Sequence, residues 1–134
     1  MNICIPSKPS HVATVIPIYL EPVMGSGERI TVLIGAIAED ENLNKDVRQV
    51  IRPRILECLY GKEPAKGIQN HIEIVMGELL RYIVNAKDFS EWTPPLLGMF
   101  KGTERKVAGD SWDGIFKHAA MLYSSLASPY EEGF

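Results

Sequence analysis

The stretch Arg29-Ile30-Thr31-Val32-Leu33-Ile34-Gly35-Ala36-Ile37-Ala38 reads as the strongest β-strand in the chain. Ile30, Val32 and Ile34 point to one side of such a strand, Thr31 and Leu33 to the other. Gly35 is a bend point ahead of Ile37. A run that is apolar at both parities predicts a central strand covered on both faces. Immediately upstream, residues 12–20 (VATVIPIYL) are rich in β-branched side chains and read as its partner. Pro17 has no ladder donor, so this partner is expected to be an edge strand or to carry a bulge there. Residues 21–28 (EPVMGSGE), broken by Pro22, Gly25 and Gly27, join the two as the loop of a long hairpin.

Downstream, residues 39–46 (EDENLNKD) form a polar turn, and residues 47–51 (VRQVI) a short third strand. Ile55, Leu56, Leu59 and Tyr60 recur at helical spacing between Pro53 and Gly61, the residues favoured at the first helical position and just past the last. Residues 62–67 (KEPAKG) are expected to be a loop. The clearest helix follows at 68–86, where Ile68, Ile72, Val75, Met76, Leu79, Leu80, Ile83 and Val84 make one apolar stripe. After a loop at 87–95, residues 96–107 read as extended, with Gly98 and Gly102 as bends. A second long helix spans 110–126. Asp110 or Ser111 caps it, Asp113 lies in its first turn, and its apolar face runs from Trp112 through Ile115, Phe116 and Ala119 to Tyr123 and Leu126.

These elements predict an α+β fold: a three- to five-stranded, mostly antiparallel sheet with the two long amphipathic helices packed on one face. The 134 residues form a single domain, with residues 1–11 as a flexible arm and 128–134 as a tail.

Composition narrows the function classes. With 46% hydrophobic and 23% charged residues the chain is too apolar to be disordered. A formal net charge of -3 supplies no broad phosphate footprint. No apolar run approaches the ~20 residues that span a bilayer, so no membrane contact is expected. Cys4 and Cys58 belong to no metal or disulfide pattern, and the first residues carry no secretory signal, which points to a reducing cytoplasm. Cys58 is expected to be a buried small hydrophobe on its helix.

Candidate chemistry is sparse. Gly25-Ser26-Gly27 precedes a strand and not a helix, so it is a hairpin turn rather than a phosphate loop. His11, His71 and His118 have no second ligand at metal spacing, and neither a metal nor a cofactor is expected. Arg29, Arg48, Arg52 and Arg54, with Lys101 and Arg105, are candidate contacts for an anion or nucleic acid, against the reading that they are solvated charges. Trp92 in the Trp92-Thr93-Pro94-Pro95 segment either anchors its loop or offers an aromatic anchor to a partner. Phe100, Trp112 and Tyr123 complete the candidate partner-binding set. Glu21, Glu28, Arg29 and His118 are the groups a small enzyme would have to bring into one pocket.

The turn Gly27-Glu28-Arg29 sits between an opening strand and the apolar strand Ile30 to Ile37. Late in the chain come a proline-containing stretch, a short strand and a C-terminal helix (Pro94 to Leu126). This order resembles small bacterial domains of unknown function that open with two strands and such a turn. The long 21–28 loop departs from that pattern. The resemblance implies a bacterial origin and an accessory role, and it implies no reaction.

The expected function is therefore that of a small cytoplasmic interaction protein working without catalysis, through a protein partner or self-association. A nucleic-acid or nucleotide module, and a small enzyme with its site near the 21–28 loop, are the alternatives.

Overall fold

A computed structural model describes residues 11–22, 26, 28–39, 44–86 and 88–123. The expected arm (apart from His11), the tail, and most of the glycine-containing loop at 23–27 lie outside the described residues, as does Cys4. The elements run β1 (His11–Leu20), β2 (Ile30–Ala38), β3 (Lys45–Gln49), α1 (Pro53–Tyr60), α2 (Lys62–Ile83), β4 (Met99–Lys101), β5 (Arg105–Gly109) and α3 (Trp112–Tyr123). The strands form one antiparallel sheet in the order β3-β2-β1-β4, with β5 also paired to β1. β2 occupies one edge of β1 along its length, so β4 and β5 share the other, β5 beside residues 11–15 and β4 beside residues 18–20. The α+β class and the antiparallel sheet are those read from the sequence.

The helices are not on one face. Ile16, Ile18 and Leu20 join Leu33, Ile37 and Val47 in a core closed by Leu56 of α1 and by Ile72, Val75, Leu79 and Ile83 of α2. Ala13 and Val15 join Ile34, Ala36 and Val107 in a separate core closed by Ile115, Phe116 and Ala119 of α3. The expectation that both long helices pack together is corrected for the reason the 29–38 run itself supplies. A central strand apolar at both parities exposes two faces that must leave water, and one helical layer covers only one.

Pro17 lies in the interior of the sheet. In an antiparallel strand the N–H and C=O of one residue point to the same neighbour. The Pro17 carbonyl accepts from Gly102 N–H at 2.9 Å, so its missing donor faces the break between β4 and β5, where no ladder bond is lost. Gly102 is required there: a Cβ would lie 2.5 Å from Pro17 Cγ and 2.7 Å from Tyr19 Cε2. The bulge falls one step on, between Ile18 and Tyr19, where β2 supplies Val32 as the extra residue.

α2 starts six residues earlier than the apolar stripe suggests, directly after Gly61 (φ +89°), so 62–67 is helix and not loop. Pro64 stands in the first turn, where the amide has no intrahelical acceptor and proline costs little. β3 is displaced by two residues toward Lys45. Cys58 is exposed, contrary to expectation. It follows Leu56, the buried residue of α1, by two positions, or about 200° around the helix. Val84, assigned to the apolar stripe, is also exposed, at 67%. Ser111 is the cap of α3, its Oγ accepting the Gly114 N–H at 2.9 Å. The loop after α2 is pinned from below: Phe89 is fully buried, its N–H donates to Glu104 Oε1 at 2.6 Å, and Lys101 Nζ donates to its carbonyl at 3.0 Å.

Candidate functional site

Four of the sequence candidates, Glu21, Arg29, Phe100 and Tyr123, gather at one end of the α3 side of the sheet. Tyr19 and Phe100 are cross-strand partners. The Arg29 guanidinium lies 4.1 Å from the centre of the Phe100 ring, and its Nε donates to Glu21 Oε2 at 3.5 Å. Tyr123, near the end of α3, donates its hydroxyl to the Thr103 carbonyl at 2.9 Å, and its own carbonyl accepts from Thr31 Oγ1 at 3.0 Å. Burial pushes the Tyr123 phenol up to about 12, against the opposing pull of Arg105. These bonds tie α3 to the sheet.

Arg48 and Trp112 sit elsewhere on that face. Arg48 bonds Asp46 at 3.1 Å and Asp113 at 2.5 Å, and its guanidinium lies 4.3 Å from the centre of the Phe116 ring. Trp112 packs edge-on against the same ring, 5.4 Å between centroids. Trp92 is 7% exposed, inside the α2-side core, where its side chain anchors the loop. Arg52 and Arg54 are exposed at the start of α1, and Lys101 points to the α2 side. The six cations are thus divided among separate places, and Arg29 and Arg48 are each paired with carboxylates.

Of the groups needed for a small enzyme, Glu21 and Arg29 meet, but His118 stands apart from them. His118 Nδ1 bonds the Ala108 carbonyl at 2.9 Å, and Ala108 lies opposite Val12. Glu21 is nine residues further along the strand, about 30 Å at the usual rise. Among the described residues no group of three or more His, Cys, Asp or Glu is placed to hold a metal ion, and no helix is long and apolar enough to cross a membrane.

One concave surface was not singled out by sequence reasoning. α2 ends over the start of β3, leaving Thr14 of β1 and Ile37 and Ala38 of β2 as the floor of a cleft of about 680 Å³. One wall is Lys45 with Val84, Asn85 and Ala86; the other is Glu39 with Lys106. Lys45 Nζ donates to the carbonyls of Ala86 at 2.9 Å and Val84 at 3.3 Å, placing a cation at the negative end of α2. Lys106 Nζ pairs with Glu39 at 2.8 Å, and that hydrogen bond holds its ammonium above its ordinary value. Val12, two residues from Thr14 on the same face of β1, is 37% exposed. The volume falls in the range of ligand and peptide sites. A second groove, between α1 and α2, is smaller at about 270 Å³.

Lys45 was legible only as part of a polar turn. Its contacts are to residues 39 and 41 positions away, beyond any local pattern. Val84 gave no signal either, because it continues the apolar stripe of the helix and only the structure shows it exposed.

No protein-family model matches the chain, and neither a curated protein nor a solved structure shows significant similarity to it.

Proposed function

We propose that this protein is a non-catalytic interaction module that docks a segment of a protein partner in the cleft at the end of α2. The observation that carries this reading is the cleft itself: a floor of Thr14, Ile37 and Ala38 with the exposed Val84 at its wall, framed by the polar side chains of Glu39, Lys45 and Lys106. The reading is further supported by the separation of His118 from Glu21 and the division of the arginines, which leave the enzymatic and nucleic-acid alternatives without a convergent site. The partner is a different protein chain or a second copy. A cytoplasmic setting rests on the absence of a cysteine pairing pattern and fits the exposed thiol of Cys58. A bacterial accessory role rests on the Gly27-Glu28-Arg29 resemblance.

The test is chemical crosslinking and capture from the native host, with light scattering on the purified chain at two concentrations. The expected result is a partner, or a dimer, that is lost in Val84→Asp and retained in Ile74→Asp, an exposed apolar position on α2 outside the residues that line the cleft. Equal loss in both variants, or a monomer that captures nothing, overturns the reading.

A further inference from the structure

We infer that the outer edge of β3 is a self-complementary surface for a second copy of this chain, and that Asp46 is the latch that holds it shut. The direction of the β3 peptide groups comes first. The Asn44 carbonyl accepts from Ala38 N–H at 2.8 Å, and Val50 N–H donates to the Val32 carbonyl at 2.9 Å. The register between those two bonds is unbroken, so Asp46 and Arg48 also turn their peptide groups toward β2. Lys45, Val47 and Gln49 turn theirs outward. Among the described residues no strand pairs with that side. Such an edge is a template for another strand unless something blocks it.

The pattern of this edge fits its own copy. Two β3 strands laid antiparallel about Val47 set Val47 opposite Val47, Lys45 opposite Gln49 and Asp46 opposite Arg48. All three outward residues then fall at hydrogen-bonded positions in both copies. Each carboxylate at 46 meets a guanidinium at 48, and no like charges are directly opposed. That charge match selects a second copy as the occupant. The central donor, however, is already engaged. Val47 N–H donates to Asp46 Oδ1 at 2.8 Å, and Asp46 Oδ2 accepts from Arg48 Nε at 3.1 Å. Arg48 is fixed in turn by Asp113 of α3 and by the Phe116 ring. The carboxylate takes the bond that the second copy's Val47 carbonyl needs. Strand pairing must displace two such carboxylates, one in each copy, before its central bonds form.

The test is Asp46→Ala in the full chain, followed by sedimentation over a concentration series and by amide exchange on the same samples. Alanine also gives up the charge pairs at 46 and 48, but those set register more than strength. Asp46→Ala is expected to self-associate about ten-fold more tightly than the unaltered chain. Raising its concentration is expected to slow exchange at Lys45, Val47 and Gln49 and to leave Arg48 and Val50, already bonded toward β2, unchanged. Asp46→Asn keeps a side-chain oxygen for the Val47 N–H and is expected to behave as the unaltered chain does. Unchanged association of Asp46→Ala overturns the inference. So does equal association of Asp46→Asn, since loss of charge alone would then suffice. Protection that misses the three outward amides, or a dimer abolished by adding Val84→Asp, assigns the contact to another surface and overturns it. Lys45 and Gln49 amides already protected in the dilute unaltered chain overturn it as well, because the edge is then occupied within one molecule.

Discussion

Among the described residues, seventeen buried ones form one apolar cluster on the α2 side of the sheet; on the α3 side eight do, and three of those are alanines. The thick side is held by area removed from water. Gly35 permits this closeness, since Leu79 Cδ2 and the Phe89 ring lie 3.1 Å from where its Cβ would stand. The thin side has little area to bury and is fastened by directed bonds: Arg48 to Asp46 and Asp113, Thr31 to the Tyr123 carbonyl, the Tyr123 hydroxyl to Thr103, and His118 to the Ala108 carbonyl. A non-directional force tolerates sliding, whereas a short helix on a shallow core needs fixed points to hold one register. The contrast teaches that α2 and α3 answer to different perturbations.

The largest expected effect is on the thick side. Leu79→Ala removes a fully buried side chain and should lower unfolding free energy by about 3–4 kcal/mol in a urea titration. Ile115→Ala, equally buried under α3, should cost closer to ~2 kcal/mol, because the shallow core relaxes around the loss. Equal costs would break the comparison. Next comes Gly102→Ala. Its methyl meets the rigid Pro17 ring, and a loss of about 2 kcal/mol by the same titration is expected. A neutral result would show that the break between β4 and β5 is not tight.

Arg48→Met sharpens the contrast by removing the charge while keeping much of the packing. Its side chain is 37% exposed, so the stability change should be only about 1 kcal/mol and should diminish in 1 M salt. Amide exchange should quicken in α3 and stay unchanged in α2; uniform quickening would mean that the two layers open together.

The smallest effect concerns pH. The Tyr123 phenol titrates near 12 in the folded chain against an ordinary 10, so the unfolded chain loses this proton first. The stabilisation is complete below pH 10 and declines as pH rises through about 12. Tyr123→Phe should flatten that part of the stability profile, and an unchanged slope would assign it to other groups.

Much of the fold was legible because it is written in local periodicity. The strand at 29–38, its partner across the hairpin, and the helix at 53–60 between Pro53 and Gly61 each depend on neighbours a few residues away. The start of α2 was misread because Pro64 and Gly67 look like punctuation, and only position within the first turn makes Pro64 harmless. Of the candidate site residues, Arg29, Phe100 and Tyr123 do share a neighbourhood, but Trp92 is core and Arg48 is a fastening. The cleft itself was not legible, since Thr14, Lys45, Val84 and Lys106 meet from four separate segments.

The sequence by itself determined the α+β class, the antiparallel hairpin and the need to cover β2 on both faces, because alternation and helical spacing act through the backbone's own geometry. Tertiary structure alone decided which helix takes which face, where the missing donor of Pro17 points, and that α2 stops short enough to leave a cleft. Those outcomes depend on pairing and packing between segments tens of residues apart, where no local preference operates and only the competition for buried area selects an arrangement.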